Sequence, residues 1–302
     1  MPDPPVAGAH EREFTVEARS QWRTVTGRFL SHKLAVGSLV VLLLLMVVAL
    51  FGGRFWRYGY AEITPEFSTG PSWQHPFGTD GIGHDTLAQV LRGAQRSVTI
   101  ALLVALVSTT FGTLVGALAG YFRGRVDTLL MRVTDLVLTV PSLAVFALLS
   151  NRYADRPNGW LFLSFIIAGV LWMTVARVVR GTFLSLREKE FVEAARALGA
   201  GHARIVLRHL LPNAVGPIIV NATVTVALAI LVETSLSYLG LGVRLPDTSL
   251  GLLVSDGSAA AQTRPWLFYF PGGVIIVIAL TVNFVGDGLR DAFDPSGTRV
   301  RA

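Results

Sequence analysis

Cysteine is missing from this chain altogether. That excludes a disulfide framework, a thiolate nucleophile and any cysteine-based metal site. Charge is scarce too: Asp, Glu, Lys and Arg make up 15% of the 302 residues, where soluble domains carry about a quarter. No Gly-x-x-x-x-Gly-Lys-Ser/Thr run occurs, so the chain has no phosphate loop to cradle ATP. No repeat of solenoid period is visible. Ser, His and Asp fall on different sides of the apolar segments and form no triad, which disfavours an intramembrane enzyme.

What the chain has in quantity is hydrocarbon, with 52% hydrophobic residues. Six apolar segments approach the roughly 20 helical residues that a bilayer core requires. They are Leu34 to Phe51, about Ser97 to Phe122, Val133 to Ser150, Trp160 to Val179, Ala214 to Leu236, and Trp266 to Val285. The expected fold class is an all-α polytopic membrane protein with six transmembrane helices. Pro141 lies inside the third segment, where a bundled membrane helix can re-satisfy the carbonyl that proline frees. The first segment reads as a retained anchor, because its preceding tail is long and no A-x-A site follows.

The net charge of +6 raises the question of nucleic acid, but the basic residues sit in short connections between apolar runs. Anionic lipid headgroups and topology explain them better, and no nucleic acid is expected. Arginine and lysine concentrate in the N-terminal tail, around Arg123 to Arg132, from Arg177 to Arg208, and in the C-terminal tail. The richer side is cytoplasmic, which places both termini inside. The expected organisation is a cytoplasmic tail over 1–33, a first helix over 34–51 and an external segment over 52–94. A five-helix core over 95–290 and a cytoplasmic tail over 291–302 complete it. Pro2 to Ala9 reads as a disordered lead-in, and 52–94 as a small, partly ordered cap.

One stretch is too polar to span and too helical to be a plain linker: 185–212, between the fourth and fifth segments. Arg187 to Ala200 is rich in Ala, Leu, Glu and Arg, which lose least in a helix. Phe191, Ala194 or Ala195, and Leu198 recur at helical spacing as one narrow apolar face. Gly199-Ala200-Gly201 supplies a turn, and a second short helix from His202 to Leu211 is expected to end at Pro212. The product is a compact knob about 15 Å long. The alternative is an amphipathic hairpin resting on lipid headgroups, against which the narrow face and the lack of Trp count.

The other polar residues carry weaker signals. Glu233, late in the fifth segment, is a candidate pathway or gate residue, since a mid-membrane carboxylate usually faces a cavity or partner. The reading preferred is a residue near the outer interface that caps or hydrogen-bonds to the loop at Ser237 to Gly242. Asp135 has Arg132 at i, i−3 as a ready partner. His75, His84, Asp80 and Asp85 fit no standard metal-ligand spacing and read as solvated loop residues. His202 and His209 share one face of the second loop helix and suit contact with a partner or lipid better than a metal.

Glu193-Ala194-Ala195, then Gly199, then His209-Leu210-Leu211-Pro212 resembles the EAA loop of bacterial ABC importer permeases. It departs from the general form at His209, where an aliphatic residue is usual. Histidine there, followed by Leu211-Pro212-Asn213, is similar to the dipeptide and oligopeptide branch. His75-Pro76-Phe77-Gly78-Thr79-Asp80, Ser235 to Gly242 and Gly286 to Ala292 resemble that branch too, and the likeness covers about 20 to 296. It is closest to the C-type partner of the paired permeases.

The resemblance implies the type I importer permease fold and a place in the bacterial plasma membrane. The loop would dock as a coupling helix on a cytoplasmic ATPase, with Glu193, Ala194, Ala195, Gly199, His209 and Pro212 carrying the coupling. Implied partners are a second permease subunit, two ATP-binding subunits or one fused ATPase, and an extracytoplasmic peptide-binding protein. ATP and Mg²⁺ would be bound by those ATPases, with no cofactor and no catalytic residue in this chain. Relatives in this branch also import nickel chelates or glutathione. The rival class is an ion-coupled secondary transporter, which would need midplane ionisable sites and repeat symmetry.

Overall fold

The computed structural model describes residues 21–153 and 158–293. The Pro-rich start and the C-terminal tail beyond 293 lie outside the described residues. A short helix α1 (Gln21–Ser31) leads into α2 (Lys33–Phe55), α3 (Thr86–Phe122), α4 (Gly124–Thr139), α5 (Ser142–Tyr153) and α6 (Gly159–Leu186). Then come α7 (Glu190–Ala197), the single turn α8 (His202–Arg204), α9 (Leu211–Tyr238), α10 (Leu250–Ser258) and α11 (Trp266–Phe293). Among the described residues the β-structure amounts to two isolated bridges, Ile63 with His84 and Thr79 with Asp85.

Five helices are long and apolar enough to cross a membrane: α2, α3, α6, the continuous His202–Tyr238 stretch, and α11. The sixth span differs from expectation. At Pro141 the helix does not continue but breaks, and α4 and α5 meet at 74°. Proline lacks an N–H and pushes the residue before it out of the helical region. Val140 accordingly takes φ −76° and ψ 126°. The Pro141 carbonyl then restarts the helix by accepting from Ala144 and Val145. A cavity of about 890 Å³ opens beside the break, lined by Val137, Pro141, Val145, Phe162 and Met173 among others.

The core is built on α3. Its Asp85 N-cap accepts from the Ala88 N–H at 2.7 Å, satisfying one of the four donors every helix start leaves open. Along α3, Gly112, Gly116 and Gly120 face α6 at backbone distance. A Cβ at Gly112 would lie 2.6 Å from the Trp172 carbonyl oxygen, and one at Gly120 2.7 Å from the Phe183 Cβ. Small residues at this spacing let two membrane helices approach closely. One apolar cluster, with Ile100, Val104, Ile167 and Ile230, fills the middle of the bundle. A second, with Tyr121, Val179, Phe183 and Ile205, fills the end where α3 finishes.

Helix α3 starts at Thr86, inside the segment expected to be external up to 94, and α2 runs on to Phe55. The intervening residues fold back on themselves. Thr64 bonds to Gly83, Ser68 to Asp80, and Thr79 to Thr69 through the backbone. This cap rests on the start of α11, where Trp266 Nε1 donates to the Thr79 carbonyl at 3.2 Å and Phe77 stacks on Phe270.

Candidate functional site

The 185–212 stretch projects from the end of the bundle opposite the cap. Helix α7 is shorter than the sequence predicts, because Arg187 belongs to the end of α6. It also has a buried face that the sequence reading did not single out. Val192 and Ala195 are the buried residues of α7, and Val192 joins the cluster of Tyr121, Phe183, Ile205, Leu210 and Ala214. Phe191, Ala194 and Leu198 face away from the bundle, with Phe191 39% and Leu198 88% exposed. Val192 and Ala195 form a second apolar stripe at helical spacing, and the bulkier branched side chain at 192 fills the gap between α3, α6 and the α8 region. An eight-residue helix with apolar side chains on two faces is therefore anchored by one and presents the other.

Gly199 takes φ +78°, the left-handed conformation that glycine adopts at lowest cost. Its position after Ala197 and Leu198 turns the chain back toward α8. Glu193 is exposed on the first turn of α7, and Ala194 is exposed beside it. Pro212 does not end the second loop helix, contrary to the sequence reading. Ile205–Leu210 forms a π-helical turn that runs straight into α9, with the Leu211 N–H reaching the Val206 carbonyl. The wider turn accommodates a proline without an N–H directly after it. The His209 carbonyl is taken by the Asn213 side chain at 2.7 Å.

The knob is tied to its surroundings by polar contacts. His202 bonds to the Tyr121 hydroxyl at 2.8 Å, so its side chain is held within the chain itself. Asp135 pairs with Arg177 of α6 at 2.6 Å rather than with Arg132, and Asp127 holds Arg180 through both oxygens. These two ion pairs lash α4 to α6. Neither partner is near in sequence, so no local pattern signals them.

Glu233 is fully buried. Ser97 of α3 donates to it at 2.9 Å and Ser237 at 2.7 Å. Ser249, the N-cap of α10, closes the ring of hydroxyls. Ser97 Oγ also accepts from the Leu250 N–H at 3.2 Å. Glu233 thus lines neither the cavity at the α4–α5 break nor the one of about 550 Å³ between the cap and α10. In the latter cavity, partial burial first and the nearby Asp80 second push the Asp256 carboxyl above its ordinary range.

The cap histidines are not solvated loop residues. His75 is buried, with Asp85 on Nδ1 at 2.7 Å and Glu66 on Nε2 at 3.0 Å, and Tyr58 stacks on its ring. The carboxylates sit on opposite ring nitrogens and so do not converge on a common ligand point. Among the described residues no group of three His, Asp or Glu could hold a metal ion. His84 pairs with Asp80 at 2.9 Å.

The fold is thus a helical bundle with a broken third span and a knob anchored by one face of α7. Residues 112–299 match the family described as "Binding-protein-dependent transport system inner membrane component", and residues 20–72 match the "N-terminal TM domain of oligopeptide transport permease C". The chain belongs to this family of ABC importer permeases, multi-span proteins of the bacterial inner membrane. It is 43% identical over 288 residues to the oligopeptide transport system permease protein OppC of Mycobacterium tuberculosis, covering 94% of this chain and 98% of that one. It is 38% identical to the OppC of Bacillus subtilis (98% and 96% covered) and to that of Escherichia coli (93% and 93%). The inward-facing MetNI methionine ABC transporter shares the fold at 16% identity, with a TM-score of 0.57 over 68% of this chain and 96% of that one. A family of membrane permease components is not itself catalytic.

Proposed function

We propose that this chain forms half of the translocation pathway of an ATP-driven importer of oligopeptides. The observation that carries the reading is the two-faced helix α7: Val192 and Ala195 are locked into the bundle while Phe191, Ala194 and Leu198 are left bare. A lipid-resting hairpin would lay its broad apolar face on the bilayer. This stripe is narrow and bordered by Glu190, Glu193 and Arg196, which suits a protein groove with matching charge. The relatives' names support peptide as cargo.

In this reading both termini and the knob are cytoplasmic, and the cap is outside. Glu193, Ala194, Ala195, Gly199, His209 and Pro212 form or shape the surface that docks on an ATPase. A second, distinct permease completes the pathway. ATP and Mg²⁺ are held by two ATP-binding subunits or one fused ATPase, and a binding protein delivers the peptide from outside. Glu233 belongs to the gate by holding α10, not by touching cargo.

The test is uptake by the reconstituted complex. Glu193→Arg inverts a charge on the docking face, and Gly199→Asp burdens a left-handed turn. Each is expected to abolish ATP-driven uptake while the binding protein's affinity for peptide stays unchanged. Uptake by this single purified chain under a proton or sodium gradient would overturn the importer reading.

A further inference from the structure

Both roots of the knob meet the last residues of α3. Tyr121 is buried, and its hydroxyl shares a 2.8 Å hydrogen bond with His202 Nδ1, where the knob's second half begins. Its backbone carbonyl accepts from the Arg187 guanidinium, which also lies 5.8 Å from the centre of the Tyr121 ring. Two residues on, Arg123 pairs with Glu188 at 2.5 Å. Arg187 and Glu188 lead into α7 and His202 leads out of the turn after it. Tyr121 and Arg123 therefore grip the knob on both sides.

The chemistry suits a helix end. The last carbonyls of a helix have no partner within it and carry the negative end of its dipole. A guanidinium placed there satisfies a bare acceptor and the local field together. At its other end α3 is fixed as firmly: Asp85 caps it while accepting from Trp56 Nε1 at 2.9 Å and pairing with His75. Between these ends α3 is 37 residues long without a break, about 55 Å at 1.5 Å per residue. The glycine seam with α6 leaves little slack along the way.

We propose that Tyr121 is a positioning residue for energy coupling. It fastens the knob to α3, so that a displacement of the knob passes along that helix to the cap instead of being lost as a swivel about α6 and α9. The proposal rests on the knob being the ATPase-docking element.

The experiment uses the complete transporter in liposomes with its binding protein and measures peptide imported per ATP hydrolysed. Tyr121→Phe keeps the ring, its packing and the carbonyl that Arg187 holds, and removes only the hydroxyl. His202→Ala removes the other half of the bond at an exposed position. Each is expected to lower the ratio by about three- to tenfold, the range one hydrogen bond represents, with ATP hydrolysis still stimulated by loaded binding protein. The double variant is expected to fall no further than the singles, since one bond is lost in all three. An unchanged ratio, or losses that add in the double variant, overturns the proposal. Should Tyr121→Phe not assemble, His202→Ala decides by the same ratio. Gly199→Asp runs alongside: if uptake survives it, the docking reading has failed. If it abolishes uptake while Tyr121→Phe leaves the ratio intact, only the role of Tyr121 has failed.

Discussion

A sealed carboxylate is tolerable only when donors surround it. Glu233 meets that condition with hydroxyls from three places, Ser97 on α3, Ser237 one turn along α9, and Ser249 at the head of α10. Glu233→Ala would remove the acceptor those hydroxyls share and leave a hole, at a cost of about 1–3 kcal/mol for unsatisfied buried groups. The thermal midpoint of the detergent-solubilised protein is expected to drop. Glu233→Gln, which keeps one carbonyl oxygen, should drop it less. Equal midpoints in all three proteins would show that the ring contributes nothing to stability. The sequence places Glu233 beside Ser237, four residues away and so one turn along. Ser97 lies 136 residues off and gives no local signal. The same holds for Tyr121 and His202, 81 residues apart. Their pairing is a property of the packed bundle.

Between helices, contact distance governs. The α3–α6 seam leaves no room for a side chain at Gly116, where a Cβ would lie 2.9 Å from the Val179 Cβ and hard against the Ala176 carbonyl. Gly116→Leu is expected to push the pair apart and largely abolish recovery of monodisperse complex on size exclusion. Gly169→Ala, where a Cβ meets nothing within 4 Å, should leave that recovery near wild type. Recovery of Gly116→Leu at wild-type yield would mean the seam is not tight. Five spans were legible from hydropathy because an apolar run of membrane length admits few other structures. The third apolar segment was legible too, but its break at Pro141 was not. Proline permits either a continued or a severed helix, and hydropathy does not distinguish the two. The buried face of α7 was equally hidden, since Phe191/Ala194/Leu198 and Val192/Ala195 both follow helical spacing. Only the cluster beneath shows which one turns inward.

For the molecule as a whole the open quantity is orientation, and the absence of cysteine makes it measurable without a background to remove. Trp73 in the cap is 97% exposed and Leu198 on the knob 88%. In cells producing this chain without its ATPase partner, a membrane-impermeant maleimide is expected to label Trp73→Cys and to miss Leu198→Cys until the membrane is opened. The reverse pattern would invert the proposed topology. The unbroken run of α3 then has a consequence for how this chain tolerates change. Cap, seam and knob clamp are all read off one helix, so they share a single phase. One residue inserted between Asp85 and Gly112 would turn everything after it by about 100° and advance it about 1.5 Å. The glycines would leave α6 and Tyr121 would leave His202 together. A substitution along α3 disturbs the contact made at one position. A change in its length is felt at both faces of the membrane at once.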